Sequence, residues 1–314
     1  MKIDSHSHFY PQEYVETIRQ FDSAKGSKIT GVNFPVWRST GERIELMDKF
    51  GIDVEILSLS APNVYFEDDP LSLELAQRTN EFVAELSRKY PDRFAGMASV
   101  PMLNMNDAIT ELHRAIKQLN LRGVVIGSNI NGKRPDAPEF EPLFAEIERM
   151  GQPIFIHPMP PADGPPSEEY KLTALLYLPF ETTICVTRLI FAGLFERHPN
   201  LSVILPHLGG TLPFLFTRID LGFKSYKECR EKASRLPSEY LKEFYYETAI
   251  SFGRPTLLCT ADLVGMEHIM FGTDYPFQRQ AGDTIAAVEA LNLEPELKNR
   301  IFSGNAKALF KLKA

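Results

Sequence analysis

The sequence predicts a closed (β/α)8 TIM barrel, on three observations. Eight short, β-rich apolar runs recur along the 314 residues, with segments of helical periodicity between them. Eight strands close such a barrel, and about 250 residues or more is an ordinary length for one. No GxGxxG follows an early run, which argues against the alternative, an open doubly wound sheet. The expectation is a single domain spanning residues 1–314, with insertions after strands 1 and 5.

The expected strands are residues 2–9, 53–60, 94–100, 123–128, 153–157, 202–207, 245–250 and 269–273. Helices are expected over residues 41–49, 70–89, 106–119, 140–150, 182–195, 212–221 and 255–263. In the second of these, Ala76, Asn80, Phe82, Val83 and Leu86 return at three- and four-residue steps. Two connections are longer than a barrel needs. One runs from Tyr10 to about Thr40 and holds Trp37, the only tryptophan. The other, from His157 to about Phe180, carries Pro158, Pro160, Pro161, Pro165 and Pro166. Both come after strands, which places them over the C-terminal mouth where barrel active sites form. A helical tail over residues 294–310 is expected on the barrel's exterior. There is no internal repeat and no linker-like change of composition.

Lys plus Arg number 34 against 41 Asp plus Glu, a net charge of −7 without a long basic run. Nucleic acid and anionic membrane are therefore poor partners. Cys185, Cys229 and Cys259 are odd in number, widely spaced and outside any CxxC pattern, which suits a reducing compartment. The N-terminus lacks a signal-peptide core. No stretch is expected to approach the ~18 apolar residues of a membrane span. The cytoplasm is the expected location.

The histidines carry the chemistry. His6 and His8 lie two apart near the end of strand 1, so they point the same way, into the barrel. His157 ends strand 5, His207 ends strand 6 and Asp274 ends strand 8. A barrel gathers these five at one mouth. His113 is mid-helix, while His198 and His268 precede strands and belong to the opposite end. Three neutral imidazoles and a carboxylate, from His6, His8, His157 and Asp274, suit one Zn2+ with room for water or substrate. The same donors accept Mn2+, Fe2+ or Co2+. His207 is then placed as acid/base catalyst, because an imidazole titrates near neutral pH.

These residues, with KIDSHSHFYP, RIELMDKFGID, YPDRFAGMASVP, PIFIHP, ETT, LSVILPHLGGTLPF and IMFGTDYPF, resemble the amidohydrolase superfamily over nearly the whole chain. The likeness is to its amidohydrolase-2 branch, which includes aminocarboxymuconate semialdehyde decarboxylases and non-oxidative aromatic acid decarboxylases. FETT with GLFERHPNLSVILPHLGG looks like the 6-methylsalicylate decarboxylase-like subgroup. By that resemblance His6, His8, His157 and Asp274 match metal ligands, and His207 matches the essential histidine. No lysine ends strand 4, which makes a two-metal carboxylated-lysine site unexpected. In the semialdehyde decarboxylases an arginine eleven residues after that histidine reaches the substrate carboxylate of the other subunit. Arg218 holds the matching position, so the resemblance implies a homodimer. A second substrate arginine of those enzymes has no clean counterpart, although Arg38 lies nearby.

The expected reaction is metal-dependent loss of CO2 from an aromatic or unsaturated carboxylic acid. His207, with Asp274, protonates the reacting carbon. Phe9, Trp37, Phe180, Tyr275 and Phe277 are candidates for an apolar wall against a flat substrate. Glu247 is a candidate for orienting a ligand, or for a buried structural hydrogen bond. The ligand set equally permits hydrolysis of an ester, lactone or amide by a metal-activated water. Hydration of a keto-acid is a third chemistry, and a non-catalytic metal-storing barrel would leave His207 without a task.

Overall fold

The computed structural model describes residues 1–25, 35–161, 169–278 and 281–312. Eight parallel strands alternate with helices: β1 (Ile3–His8), β2 (Val54–Ser58), β3 (Phe94–Gly96), β4 (Val124–Gly127), β5 (Ile154–His157), β6 (Val203–Leu205), β7 (Tyr245–Glu247) and β8 (Ile269–Met270). The continuous ladders are β1-β2-β3 and β4-β5-β6-β7-β8. Two junctions close the ring. Between β3 and β4, Ala98 bridges Val124, and its amide reaches the Gly123 carbonyl at 2.8 Å. Between β8 and β1, Ser7 bridges Tyr275, and the Asp274 amide donates to the His6 carbonyl at 2.8 Å. The result is the expected (β/α)8 barrel.

Ile3, Val54, Ile56, Met97, Val125, Phe155, Ile204 and Met270 fill the lumen, because alternate side chains of each strand face inward. The outward set packs beneath the helices as a second, larger core. The helices begin where the sequence supplies caps. Ser39 accepts from the Glu42 amide ahead of α2 (Thr40–Phe50), after α1 (Gln12–Lys25). Asp68 accepts from the Leu71 amide ahead of α3 (Asp69–Lys89), and Asn104 caps α4 (Met105–Lys117). Prolines in the first turn start α5 (Glu141–Arg149) and α6 (Leu178–Phe191). They also start α8 (Leu212–Ser225), beyond the short α7 (Leu194–Arg197), and, after α9 (Pro237–Leu241), α10 (Arg254–Val264).

Several expectations need correction. Residues 12–25 of the first long connection form α1, whose Tyr14, Val15 and Ile18 are buried. Residues 26–34 and 162–168, the latter with Pro165 and Pro166, lie outside the described residues. The second connection turns through Tyr170 and Lys171, with φ of 51° and 57°, and is helical from Leu172; by length and composition Glu169–Phe191 is long and apolar enough to cross a membrane. This corrects the expectation that no stretch is that long and apolar; Glu181, Thr182 and Thr183 punctuate the run and hide it. Its C-terminal half is a core helix, with Cys185, Val186, Leu189 and Ile190 buried. The tail also differs from its expected place. After α11 (Ala281–Glu289) and α12 (Pro295–Asn299), α13 (Asn305–Leu309) lies across the barrel's N-terminal end, where Ala306 and Phe310 join the lumen cluster.

Candidate metal centre

Alternation from Ile3 would turn Ser5 and Ser7 into the lumen. A β-bulge changes that parity. Asp4 pairs with Glu55 and Ser7 with Leu57, so Ser5 and His6 together oppose Ile56. After the bulge His6 and His8 face inward, while Ser7 faces the surrounding helices. His157 ends β5, His207 lies just after β6, and Asp274 lies beyond β8. His207 and Asp274 have φ of 54° and 61°, the left-handed region. A non-glycine residue there costs about 1–3 kcal/mol and persists where its surroundings over-determine it, commonly at functional sites.

Four donor atoms converge. His6 Nε2 lies 2.8 Å from His8 Nε2, and His157 Nε2 lies 3.2 Å from His8 Nε2. Asp274 Oδ1 is 3.3 Å from His6 Nε2 and 3.0 Å from His8 Nε2. Each ring is oriented through its other nitrogen. His6 Nδ1 donates to Glu247 Oε1 at 2.8 Å, His8 Nδ1 to the Ser58 carbonyl at 3.0 Å and His157 Nδ1 to the Pro158 carbonyl at 2.9 Å. Carbonyl oxygens only accept, so the protons of neutral His8 and His157 sit on Nδ1 and their Nε2 lone pairs face the cluster. Lone pairs and a carboxylate converging in a buried space demand a cation, and these donors fit one divalent ion.

The electrostatics agree. Burial lowers the pKa of His8 and, more strongly, of His157, which keeps both rings neutral. Burial opposes a charge on His6 too, but Glu247 and Asp274 push its metal-free pKa up to about 9. Burial works against ionised Asp274 as well, yet the His6 charge and bonds from His207 and His8 hold it well below the usual carboxylate range. His207 Nε2 stands 3.6 Å from Asp274 Oδ2, and its Nδ1 is buried with no hydrogen-bond partner. That leaves one site residue with an uncommitted nitrogen beside the donor cluster.

Glu247 orients His6 as one of its expected alternatives had it, and also accepts the His207 amide at 2.6 Å. Gly272 makes room for this pair, because a Cβ there would lie 2.1 Å from Glu247 Oε2 and 2.9 Å from His6 Cβ. Sequence reasoning passed over Gly272, and also Ser60, whose hydroxyl lies 3.2 Å from His157 Nε2. Gly272 sits in the IMFGTDYPF stretch at a strand end, a signal that could have found it; Ser60 lies in no such motif.

The expected aromatic wall is only partly assembled. Phe277 packs edge-on to His8 with centroids 5.8 Å apart, and Phe155 packs beside His6 at 4.8 Å. Tyr275 lies under the Arg43 guanidinium, 4.0 Å from ring centroid to Cζ. Phe9 stacks on Phe82 in the outer core. Trp37 packs against Phe82 and Phe94, also in the outer shell, and makes no ring contact with the histidines. Phe180 and Arg218 are exposed, on α6 and α8.

The family described as Amidohydrolase matches residues 3–312. The chain belongs to the amidohydrolase family. This amidohydrolase is 30% identical over 329 residues to the 2-amino-3-carboxymuconate-6-semialdehyde decarboxylase of Dictyostelium discoideum, covering 98% of this chain and 90% of that one. It is 33% identical over 288 residues to the gamma-resorcylate decarboxylase of Rhizobium sp. (strain MTP-10005), covering 86% of each. Among solved structures, it resembles 5-carboxyvanillate decarboxylase from Novosphingobium aromaticivorans, complexed with manganese and 4-hydroxy-3-methoxy-5-nitrobenzoic acid. There the TM-score is 0.89 at 27% identity, over 99% of this chain and 96% of that one. These relatives are decarboxylases of the same superfamily branch that the motifs suggest.

Proposed function

We propose that this amidohydrolase is a divalent-metal-dependent, non-oxidative decarboxylase of an aromatic or unsaturated carboxylic acid, with residues 1–314 acting as one domain. The observation that carries the reading is the convergence of the His6, His8 and His157 Nε2 atoms with Asp274 Oδ1, beside His207, whose buried Nδ1 has no partner. A divalent ion held by His6, His8, His157 and Asp274 would supply Lewis acidity toward the oxygens of the substrate. Three imidazoles and one carboxylate favour Zn2+ on donor chemistry, while the carboxyvanillate relative carries manganese.

His207 delivers a proton from Nε2 to the carbon that bears the carboxylate. A C–H bond forms there, the C–C bond breaks, its electrons return to the π-system, and CO2 leaves. Asp274 Oδ2 steadies the imidazolium before transfer, and solvent then returns the proton to His207. Phe277 flanks a flat substrate, with Phe180 over the approach; Tyr275, paired with Ser7 and covered by Arg43, stands outside it. Phe155 closes the floor and keeps water from the reacting carbon.

The active species is proposed to be a homodimer. Phe214, Leu221 and Tyr226 on and after α8, with Leu175 and Phe180 along the α6 segment, leave large apolar side chains exposed. Thr183 and Thr211 bond through their hydroxyls at 2.9 Å, which sets the two helices side by side. Arg218 shares α8 with Phe214 and Leu221, so it is suited to reach the substrate carboxylate of the other subunit. The test is CO2 release from hydroxybenzoates and muconate-type acids by chain loaded with Zn2+ or Mn2+, beside ester and lactone hydrolysis. Release of CO2 is expected; hydrolysis alone would sink the reading. Mixing His207→Ala and Arg218→Ala chains should restore part of the activity if the site is shared, and verified mixed dimers without recovery would refute sharing.

A further inference from the structure

Arg43 lies on α2, outside the barrel wall, yet it is buried to 6% exposure. Its Nε donates to Glu55 Oε2 at 2.7 Å, and its Nη2 donates to Ser7 Oγ. Its guanidinium stacks 4.0 Å from the Tyr275 ring centroid and 5.2 Å from that of Trp37. These partners are not scattered. Glu55 is the register partner of Asp4, on the near side of the β1 bulge, and Ser7 is the first paired residue on its far side. Ser7 stands between His6 and His8, and Tyr275 is the residue after Asp274. A single planar side chain thus spans the bulge that turns both histidines inward, and also touches the strand end that carries the carboxylate.

A bulge loosens the ladder locally, so its register needs an external tie to hold a metal geometry to fractions of an ångström. The guanidinium suits that task, because its donors diverge in one rigid plane whose face can stack on a ring at the same time. A lysine ammonium keeps the charge opposite Glu55 but lacks the plane and the fork. We propose that Arg43 is a positioning residue of the metal centre: by joining Glu55 to Ser7 across the bulge and stacking on Tyr275, it fixes the spacing of the His6, His8 and Asp274 donors and thereby sets metal affinity. This rests on the metal-dependent reading of the site. Arg43 faces the helices rather than the lumen, so it touches neither substrate nor reacting atoms.

The experiment is a competition titration of Mn2+ against a chromogenic chelator, using the full chain stripped of metal, with circular dichroism and thermal melting alongside. Arg43→Lys should weaken Mn2+ binding about 10- to 100-fold, the usual penalty for removing an orienting partner. Ser7→Ala, which deletes one hydroxyl, should weaken it by a smaller factor in the same direction. The double variant should bind no worse than Arg43→Lys alone, because the contact is already lost. At saturating Mn2+ the substrate KM should stay unchanged while kcat falls. If both single variants lower the melting temperature but bind Mn2+ within about twofold of wild type, Arg43 is only a structural tie and the proposal is overturned. Should Arg43→Lys fail to fold, Ser7→Ala decides by the same criterion. Wild type that binds no divalent ion would overturn the metal reading and this assignment together. Normal wild-type binding with unchanged variants overturns the assignment alone.

Discussion

Four histidines at the barrel mouth and three on its periphery have the same side chain and opposite surroundings. At the periphery, His198 sits between two carboxylates, with Nε2 2.8 Å from Glu141 and Nδ1 3.1 Å from Glu148. His113 pairs with Glu146, and His268 donates to the Phe244 carbonyl at 3.1 Å. Those nitrogens find protein acceptors. At the mouth, the outer nitrogens of His6, His8 and His157 each have their own acceptor, while the inner nitrogens crowd together around a single shared carboxylate, Asp274. The address that separates the two groups is strand end against helix or opposite loop, and that address decides the local chemistry. The inner lone pairs of neutral His8 and His157 lie 3.2 Å apart and ask for a cation between them. An N–H opposite a carboxylate is already satisfied.

The hardest test of this contrast removes a donor from the cluster. His8→Ala or Asp274→Ala should abolish stoichiometric metal binding and lower kcat/KM by roughly a thousandfold or more, since both substrate orientation and charge stabilisation go with the ion. Elemental analysis of the purified variants checks the first part and CO2 release the second. Full metal content in either variant would remove that residue from the ligand set. His207→Ala separates the fourth mouth histidine from the other three. It should retain about one metal per chain while kcat falls roughly 10^2- to 10^4-fold, the range for loss of a general acid. Metal loss in that variant would make His207 a ligand instead.

Much of this contrast was legible in the sequence, for physical reasons. Strand ends could be placed because β-rich runs are short and apolar, and barrel closure then collects their C-termini. His157, His207 and Asp274 could be located from that alone. The bulge in β1 was not legible, because nothing in Asp4-Ser5-His6-Ser7 tells which residue the ladder skips. The pair His6 and His8 was still read correctly, since a two-residue spacing keeps one face whichever face it is. Trp37 shows the limit. A long segment after a strand suggested the mouth, but its ring found Phe82 and Phe94 beneath the helices, a choice made by packing of the whole outer shell. Helix α1 could have been found, because Tyr14, Val15, Ile18 and Phe21 carry a helical apolar stripe through a stretch read by its length alone.

Protons sharpen the contrast further. In the metal-free fold His6 holds its proton up to about pH 9, against an ordinary 6.5, because Glu247 and Asp274 overcome the burial that would lower it. A raised pKa contributes stability that is fully present below 6.5 and is lost as pH rises through about 9. Metal has to displace that proton, so apparent metal affinity should climb with pH, by up to about tenfold per pH unit, and level off above His6's titration. Mn2+ titrations between about pH 6.5 and 8.5 measure the slope. Glu247→Gln removes the charge that raises His6, so it should flatten the slope over that window. A slope unchanged by Glu247→Gln would assign the displaced proton to another group.

The smallest effect is expected at the periphery, and it is the control for all the others. Glu141 is held at about 2 by the bond from Arg197, with His198 adding to it against the pull of burial. A depressed carboxylate contributes stability that is present above its ordinary 4.5 and is lost as pH falls toward about 2. Glu141 is one-third exposed, so solvent screens much of that pairing. Gln at position 198 can donate to only one of the two carboxylates, and the Asn200 amide still serves Glu148 at 2.8 Å. His198→Gln should therefore cost roughly 0.5–1.5 kcal/mol in denaturant unfolding near neutral pH, the value of a partly exposed hydrogen bond, and progressively less in acid. Metal content and kcat/KM should match wild type. If His198→Gln instead lost metal in proportion to activity, strand-end address would no longer distinguish ligand histidines from paired ones, and the site would have to be sought from the carboxylate clusters as well.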